Sequence, residues 1–425
     1  MLALTESFVF LWTLQQYGKI KKNLIREELP MNRELAKAIQ ENLPEAFSLV
    51  QYLYDHPETA GKEVLSSQAL VEVLRRAGFQ VEYPFMEKEL GYGTAFRAVL
   101  ENGKGPRAAI LVEYDALPEI GHGCGHNLHG PLSILAALGL VHCKELFSGT
   151  LEVIGTPAEE EEGAKLHMAS AGFFDGMDLA IMMHCGSGPC SQTEMDATSL
   201  RCYIVEFYGQ SAHAAGSPWL GHNALTAARK FMDLLDARRD SFQPGTIMSE
   251  VILDGGKQPN MVPDYAKIRM EFRSPSMKNL EELDRIVRNC AQGAALALDC
   301  TEKFTLGFPD FYDMARIPAL EEKVKEKFQE LGAPIEDPLP AGGSSDVGNV
   351  SYHCPTIQPI ISITDAPYSL HTPELRDATL TSHARQQMAV GAEVIAETVL
   401  AIFNDGSFRA KVREDFQRVL ARKKG

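Results

Sequence analysis

Residues Ala108–Asn127 read AAILVEYDALPEIGHGCGHN, a wholly apolar pentad that runs within a few residues into a loop of metal-binding side chains. A strand apolar on both faces belongs to a parallel sheet covered by helices on each side. Pro131 to Val141, small and apolar, reads as a helix packed closely on that sheet. Three further segments repeat the arrangement: Leu151 to Ile154 leads to Thr156-Pro157-Ala158-Glu159-Glu160, Leu179 to Met183 to His184, and Ile357 to Ile363 toward His371. In open α/β sheets, ligands collect at the carboxyl ends of the strands. One fold can therefore gather Cys124, His126, the Glu159–Glu160 pair, His184 and His371. This mixture of thiolate, imidazole and carboxylate suits Zn²⁺, and also Mn²⁺, Co²⁺ or Ni²⁺. It reads as a hydrolytic metal site.

Outward from this stretch, the chain divides in two. Leu35, Ile39, Leu43, Phe47, Val50 and Leu53 recur at helical spacing, and a second helix runs from about Ser66 to Ala77. Strand-like Gln80 to Tyr83 and Thr94 to Glu101 follow, and strand then alternates with helix through His184, a doubly wound α/β pattern. Near Thr198 the pattern changes. Strand Leu200–Tyr208, a helix over about Asn223–Leu235, strands near Ile247–Leu253 and Tyr265–Phe272, a helix near Leu280–Leu296 and strand Cys300–Leu306 make a β-α-β-β-α-β order, the split ferredoxin-like motif. A helix at Ile317–Leu331, strand Thr356–Ile363 and a long closing helix, Thr381–Phe403, resume the first pattern. The expectation is an α/β catalytic domain over 31–196 and 309–425, with an α+β unit inserted at 197–308.

At 425 residues the chain exceeds one core. A net charge of −16, with acidic residues interspersed among basic ones, argues against a nucleic-acid partner, which needs a basic face. The eight cysteines form no dense framework, consistent with reduced thiols and a cytoplasmic location. Phe8-Val9-Phe10-Leu11-Trp12 is too short to span a membrane, and its basic residues follow it, the wrong order for a secretory signal. Residues 1–30 read as a mis-set start or a disordered extension. No membrane association is expected.

Each candidate has a plainer reading. The Cys124 loop could be a tight turn around a buried thiol, the Glu159–Glu162 run a solvated face, and His184 a satisfied structural residue. Glycines at 123 and 125 allow Cys124 and His126 to converge, with His122 and His129 as supporting or structural residues. A metal hydrolase needs one carboxylate on the cation and another to take a proton from water, tasks that adjacent carboxylates can divide. Asp115, at its strand end, is placed to orient a ligand histidine.

Tyr-Asp-Ala-Leu-Pro at 114–118, Gly-His-Gly-Cys-Gly-His-Asn at 121–127, Pro-Ala-Glu-Glu at 157–160 and Met-His-Cys-Gly at 183–186, in that order, resemble the dinuclear metallopeptidases of the aminoacylase and carboxypeptidase G family (metallopeptidase family twenty). The variant loop with Gly343–Asn349 is most similar to the amidohydrolase branch that holds aminobenzoyl-glutamate hydrolase and β-alanyl-lysine dipeptidase-like proteins. The resemblance covers about residues 31–403. It implies two divalent metals per chain, with Cys124 bridging, His126 and His184 completing one site, Glu160 and His371 the other, and Glu159 as general base. It further implies a homodimer through the inserted lid domain. Within Ser211-Ala212-His213-Ala214, His213 would reach the neighbouring active site, while Asn260 and Arg273 hold substrate. Asn127 replaces the aspartate common after this histidine in hippurate-type members, which weakens the transfer of their substrate preference.

The function expected is hydrolysis of the amide bond of dipeptides or N-acyl amino acids bearing a free carboxylate, which Arg273 can pair in bidentate fashion. The alternative is a catalytically silent binding or scaffold protein that keeps the fold. All five ligand positions and Glu159 are present, which argues against that alternative.

Overall fold

In the computed structural model, residues 30–161 and 163–424 are described. The extension expected at 1–30 lies, but for Pro30, outside them. Helices α1 (Pro30–Asp55) and α2 (Val64–Arg76) precede β1 (Gln80–Glu82), β2 (Phe96–Asn102), β3 (Arg107–Val112), α3 (His126–His142), β4 (Gly149–Gly155), α4 (Ala164–Ser170) and β5 (Leu179–Ile181). The short β6 (His184–Gly186) and β7 (Ser191–Gln192) follow. The inserted unit comprises β8 (Ser199–Tyr208), α5 (Ala224–Asp236), β9 (Ile247–Asp254), β10 (Tyr265–Ser274), α6 (Met277–Ala297) and β11 (Thr301–Leu306). The chain then completes the α/β part with α7 (Pro318–Glu330), β12 (Ile335–Glu336), β13 (Thr356–Ile357), β14 (Ile360–Ser362), α8 (Pro373–Ala378), α9 (Ser382–Asn404) and α10 (Gly406–Lys424).

The main sheet has the order β1-β2-β4-β3-β5-β13, and β4, β3, β5 and β13 run parallel. The β1–β2 pair adds an antiparallel edge. Both faces of β3 are buried, with Ile110 and Val112 in one apolar cluster and Ala109 and Leu111 in the other. Helices α1, α3 and α9 cover the first face. Helix α3 is buried from His126 through Leu140, as befits a helix apolar around its circumference. Gly130 permits its approach: a Cβ there would lie 2.2 Å from the Glu113 carbonyl oxygen. Helix α9 is the one described helix long and apolar enough to cross a bilayer, and 72% of its most apolar window is buried in this protein.

The doubly wound expectation holds, with three differences. The segment 356–363 is two strands, not one, because Gln358-Pro359 interrupts it: β13 joins the main sheet and β14 a second sheet ordered β12-β7-β14-β6. Helix α3 begins at His126 rather than Pro131, because Gly125, at φ 84°, reverses the chain directly into it. The long helix is not the last, since α10 follows it. The inserted unit matches the β-α-β-β-α-β expectation, with antiparallel order β11-β8-β10-β9 and its own core around Phe207, Phe231 and Phe272.

Candidate metal centre

The carboxyl ends of β3 and β4 lie side by side, since Val112 is in register with Gly155. The loops that leave them therefore share one space. Past β3, Gly125 turns the chain so that Cys124 and His126 both enter it. Past β4, the turn through Ala158 at φ 63° presents Glu159 and Glu160. His184 opens β6. His371, also left-handed at φ 62°, is fastened by its N–H to the Gly123 carbonyl oxygen at 3.0 Å. Non-glycine residues held in this backbone region cluster at functional sites.

The gathered ligand atoms have metal spacing. Two atoms that each bind one tetrahedral cation at 2.0–2.3 Å lie roughly 3.3–3.8 Å apart. Cys124 Sγ is 3.5 Å from His184 Nε2. His126 Nε2 is 3.7 Å from Glu160 Oε1, and His371 Nε2 is 3.4 Å from Glu160 Oε2. Glu159 Oε2 lies 3.8 Å from His126 Nε2. All five ligand candidates and Glu159 thus converge. Cys124, His126 and Glu160 form one compact group, and His126 faces Glu160 as well as the His184 side of the site.

Hydrogen bonding decides which histidine nitrogens are available. His126 Nδ1 is 2.9 Å from Asp115 Oδ1, and His184 Nδ1 is 2.7 Å from the Cys185 carbonyl oxygen. In the neutral ring each such contact places the proton on Nδ1 and leaves a lone pair on Nε2, aimed into the site. His129 differs. Its Nδ1 accepts from the Cys185 N–H at 3.2 Å and its Nε2 donates to Glu113 at 2.9 Å, so it has no lone pair to give and is structural. His122 is buried too, and burial pushes its pKa down to about 3, keeping it neutral.

Buried His126 Nε2 and Glu160 Oε1 face each other without a hydrogen-bond partner, as atoms prepared for a cation do. The charge balance agrees. Burial, with Glu113, Asp346 and Glu160 nearby, raises the Glu159 carboxyl well above its ordinary range. Burial also raises the Cys124 thiol. Burial opposes charge on His126, but Asp115 and Cys124 outweigh it and raise its pKa. A bound cation relieves all three strains, because it favours carboxylate, thiolate and neutral imidazole together. Asp115 joins both sides: its second oxygen accepts the Glu160 N–H at 2.9 Å.

Two partnerships were not legible in the sequence. Lys165, fully buried on α4, donates to Glu113 Oε1 at 2.7 Å and to Asp346 Oδ1 at 2.5 Å. Glu113, Glu159 and Asp346 are close enough to hold a cation, and the ammonium of Lys165 binds two of them. Buried Glu63 binds the Ala158 N–H at 2.9 Å. A lone Lys or Glu reads as surface charge unless its distant partners are known.

The substrate-binding candidates lie on the inserted unit. His213 is exposed, and its Nδ1 accepts from the N–H groups of Ala215 and Gly216 at 3.3 and 2.9 Å. Its proton is therefore on Nε2, free to be donated. The Asn260 carbonyl oxygen accepts from Ala214 N–H, so Asn260 lies beside it. Arg273, near the end of β10, donates to Ser344 Oγ at 2.9 Å. Among the described residues, no hydrogen bond or ion pair joins His213 to the metal cluster of its own chain.

The family model described as a peptidase dimerisation domain matches residues 198–297. The chain is 33% identical to the Xaa-Arg dipeptidase of Mus musculus, over 91% of this chain and 92% of that protein. It is 26% identical to a p-aminobenzoyl-glutamate hydrolase component of Escherichia coli, over 91% and 95% respectively. Among solved structures, a dinuclear metal binding peptidase of the M20 family from Bacillus subtilis shares the fold at a TM-score of 0.67 and 18% identity, covering 86% of this chain and 99% of that one.

Proposed function

Since this chain belongs to the M20 peptidase family and is one of its amidohydrolases, we propose that it cleaves dipeptides or N-acyl amino acids whose leaving amine carries a free carboxylate. The observation that carries the site assignment is the unpartnered, buried pair His126 Nε2 and Glu160 Oε1 within a ring of ligand spacings. Cys124, His126, Glu160, His184 and His371 would hold two divalent cations, Zn²⁺ or Mn²⁺, with Co²⁺ or Ni²⁺ also compatible with this donor set. Bound there, such ions lower the pKa of water and draw charge from a carbonyl oxygen. Glu159 takes the proton of the attacking water and hands it to the leaving nitrogen. Asp115 keeps His126 in its ligand tautomer. The silent scaffold reading is not favoured, since neither a ligand nor the base is missing.

Residues 31–196 and 309–425 would form the catalytic domain and 197–308 the lid. Strand β9 is an edge strand with exposed Ile247, Val251 and Leu253, at 57, 52 and 52%. An apolar edge of this kind calls for cover, and a second copy supplies it. In that homodimer, His213 of each lid donates from Nε2 to the scissile carbonyl oxygen in the neighbouring site, and Asn260 beside it binds substrate. Arg273 exchanges its Ser344 contact for the substrate carboxylate. The eight unpaired cysteines support a reducing, cytoplasmic setting.

The relatives' names nominate the substrates to test: Xaa-Arg dipeptides and p-aminobenzoyl-glutamate, with β-alanyl-lysine, hippurate and N-acetyl amino acids beside them. The expected result is turnover of at least one free acid by protein holding two metals per chain. Its carboxyl-amidated analogue should be poor, because it offers Arg273 no anion to pair in bidentate fashion. Equal turnover of acid and amide would remove Arg273 from the reading. Failure to retain added Zn²⁺, Mn²⁺ or Co²⁺ would remove the metal centre.

A further inference from the structure

The turn that presents Glu159 is unstable on local grounds. Ala158 sits at φ 63°, where a Cβ crowds the following carbonyl oxygen. The turn is closed by two hydrogen bonds to the Ala158 carbonyl oxygen, from Glu161 N–H at 3.3 Å and Gly163 N–H at 2.8 Å. Neither uses the Ala158 N–H, which is directed into the protein.

That N–H ends on Glu63. Oε1 of Glu63 accepts from Ala158 N–H at 2.9 Å and from Gly61 N–H at 2.8 Å, and Oε2 accepts from Thr94 Oγ1 at 2.8 Å. Thr94 is fixed in turn, because its carbonyl oxygen accepts from the buried Tyr114 hydroxyl at 2.7 Å. Glu63 is 0% exposed, and every one of these contacts asks it to accept. Two residues past Ala158, the Glu160 N–H is held by Asp115 at 2.9 Å. The backbone N–H groups of the residues before and after Glu159, Ala158 and Glu160, are therefore held by separate carboxylates. Asp115 also serves a metal ligand; Glu63 makes no hydrogen bond to any of the five ligand candidates.

We propose that Glu63 is a positioning residue for the hydrolysis, whose carboxylate holds Ala158 in its left-handed conformation and so aims Glu159. This rests on Glu159 being the general base. The requirement is for acceptors, not for charge. Glutamine satisfies it: its amide oxygen accepts both N–H groups, and its NH₂ donates to the Thr94 hydroxyl. Leucine fills the space but leaves the buried Ala158 N–H and the partly buried Gly61 N–H unpaired, so the turn relaxes away from φ 63°.

The test compares Glu63→Leu, Glu63→Gln and Glu159→Gln as metal-loaded protein on the best substrate of the panel above, with metal content measured on the same samples. A base displaced by about 1 Å costs on the order of 10²-fold. Glu63→Leu should lose kcat on that scale with KM within about threefold and two metals retained, and Glu63→Gln should recover kcat to within about threefold. A merely structural Glu63 would lower the folded fraction and leave kcat per metal-loaded site unchanged, which would overturn the proposal. So would Glu63→Gln as slow as Glu63→Leu. Should Glu63→Leu not fold, Thr94→Val removes only the donor that fixes Oε2; it should lower kcat severalfold, with Thr94→Ser restoring it, and an unchanged kcat again overturns the role. Glu159→Gln separates the levels: if it turns over normally, the base assignment itself fails, whereas its inactivity beside a normal Glu63→Leu refutes Glu63 alone.

Discussion

Replacing Lys165 with methionine should be among the most destabilising single changes near the site. The ammonium, Glu113 and Asp346 are each 0% exposed, with Nζ–O separations of 2.7 and 2.5 Å. At an effective dielectric of about 20, each contact is worth roughly 6 kcal/mol of Coulomb energy before desolvation is subtracted. Methionine matches the volume but leaves two buried carboxylates facing Glu159 with no counter-charge. Breaking a buried ion pair from one side costs about 3–5 kcal/mol, while replacing all partners together costs far less. Urea unfolding followed by far-UV circular dichroism should therefore show Lys165→Met destabilised by about 3–5 kcal/mol. The triple variant with Glu113→Gln and Asp346→Asn should recover at least half of the loss. Asp346 also lies two residues from the Ser344 that holds Arg273, so losing the Nζ contact to Asp346 should raise KM in the single variant. A loss below about 1 kcal/mol, or a triple variant no more stable than the single one, would refute the reasoning.

Glu159→Gln should keep its metals while kcat falls by about 10² or more, as expected for removal of a general base; metal analysis beside steady-state kinetics checks this, and loss of metal with intact chemistry would reassign Glu159. Mixing inactive His213→Ala protomers with inactive Glu159→Gln protomers should restore partial activity through hybrid dimers, and a fully active monomer in sizing experiments contradicts action in trans. Glu194 is fully buried with one carboxylate oxygen unpartnered, and burial raises its pKa well above the ordinary value. Its folded-state pKa is above its unfolded one, so the folded state binds the extra proton, and stability falls as pH rises above the ordinary glutamate range. Glu194→Gln keeps the acceptor for the Gln358 and Met195 N–H groups and carries no charge. Its melting temperature should gain on the parent as pH rises from about 5 to about 8, and a constant difference would show that Glu194 is not ionised by folding-linked titration.

Much of this architecture is local information. Ala108 to Val112 is apolar at every position because both faces of β3 are covered, and a continuous apolar run requires no knowledge of what covers it. The alternation in Leu200–Tyr208 likewise announces a sheet with one face exposed. Side chains able to bind metal at the ends of such runs were legible because strand order in a parallel sheet places those ends together. Sequence spacing misplaced what depends on one backbone angle. Gly125 at φ 84° starts α3 five residues early, and Gln358-Pro359 divides one apolar run between two sheets.

What only the tertiary structure decided is which of several equal residues does what. His122, His126 and His129 lie within eight residues, and nothing in their spacing separates a ligand from a strut; the Asp115 contact on His126 Nδ1 and the two contacts that occupy both nitrogens of His129 do. Glu63, Lys165 and Asp346 look in the sequence like solvated charges. Their partners stand 95, 52 and 181 positions away, in the contacts Glu63–Ala158, Lys165–Glu113 and Lys165–Asp346. Burial turns such a charge from neutral surface into a determinant of geometry, because an ion removed from water must find its counter-charge or hydrogen-bond donors inside the protein. Residue type alone carries the charge; the fold alone determines whether water remains to solvate it.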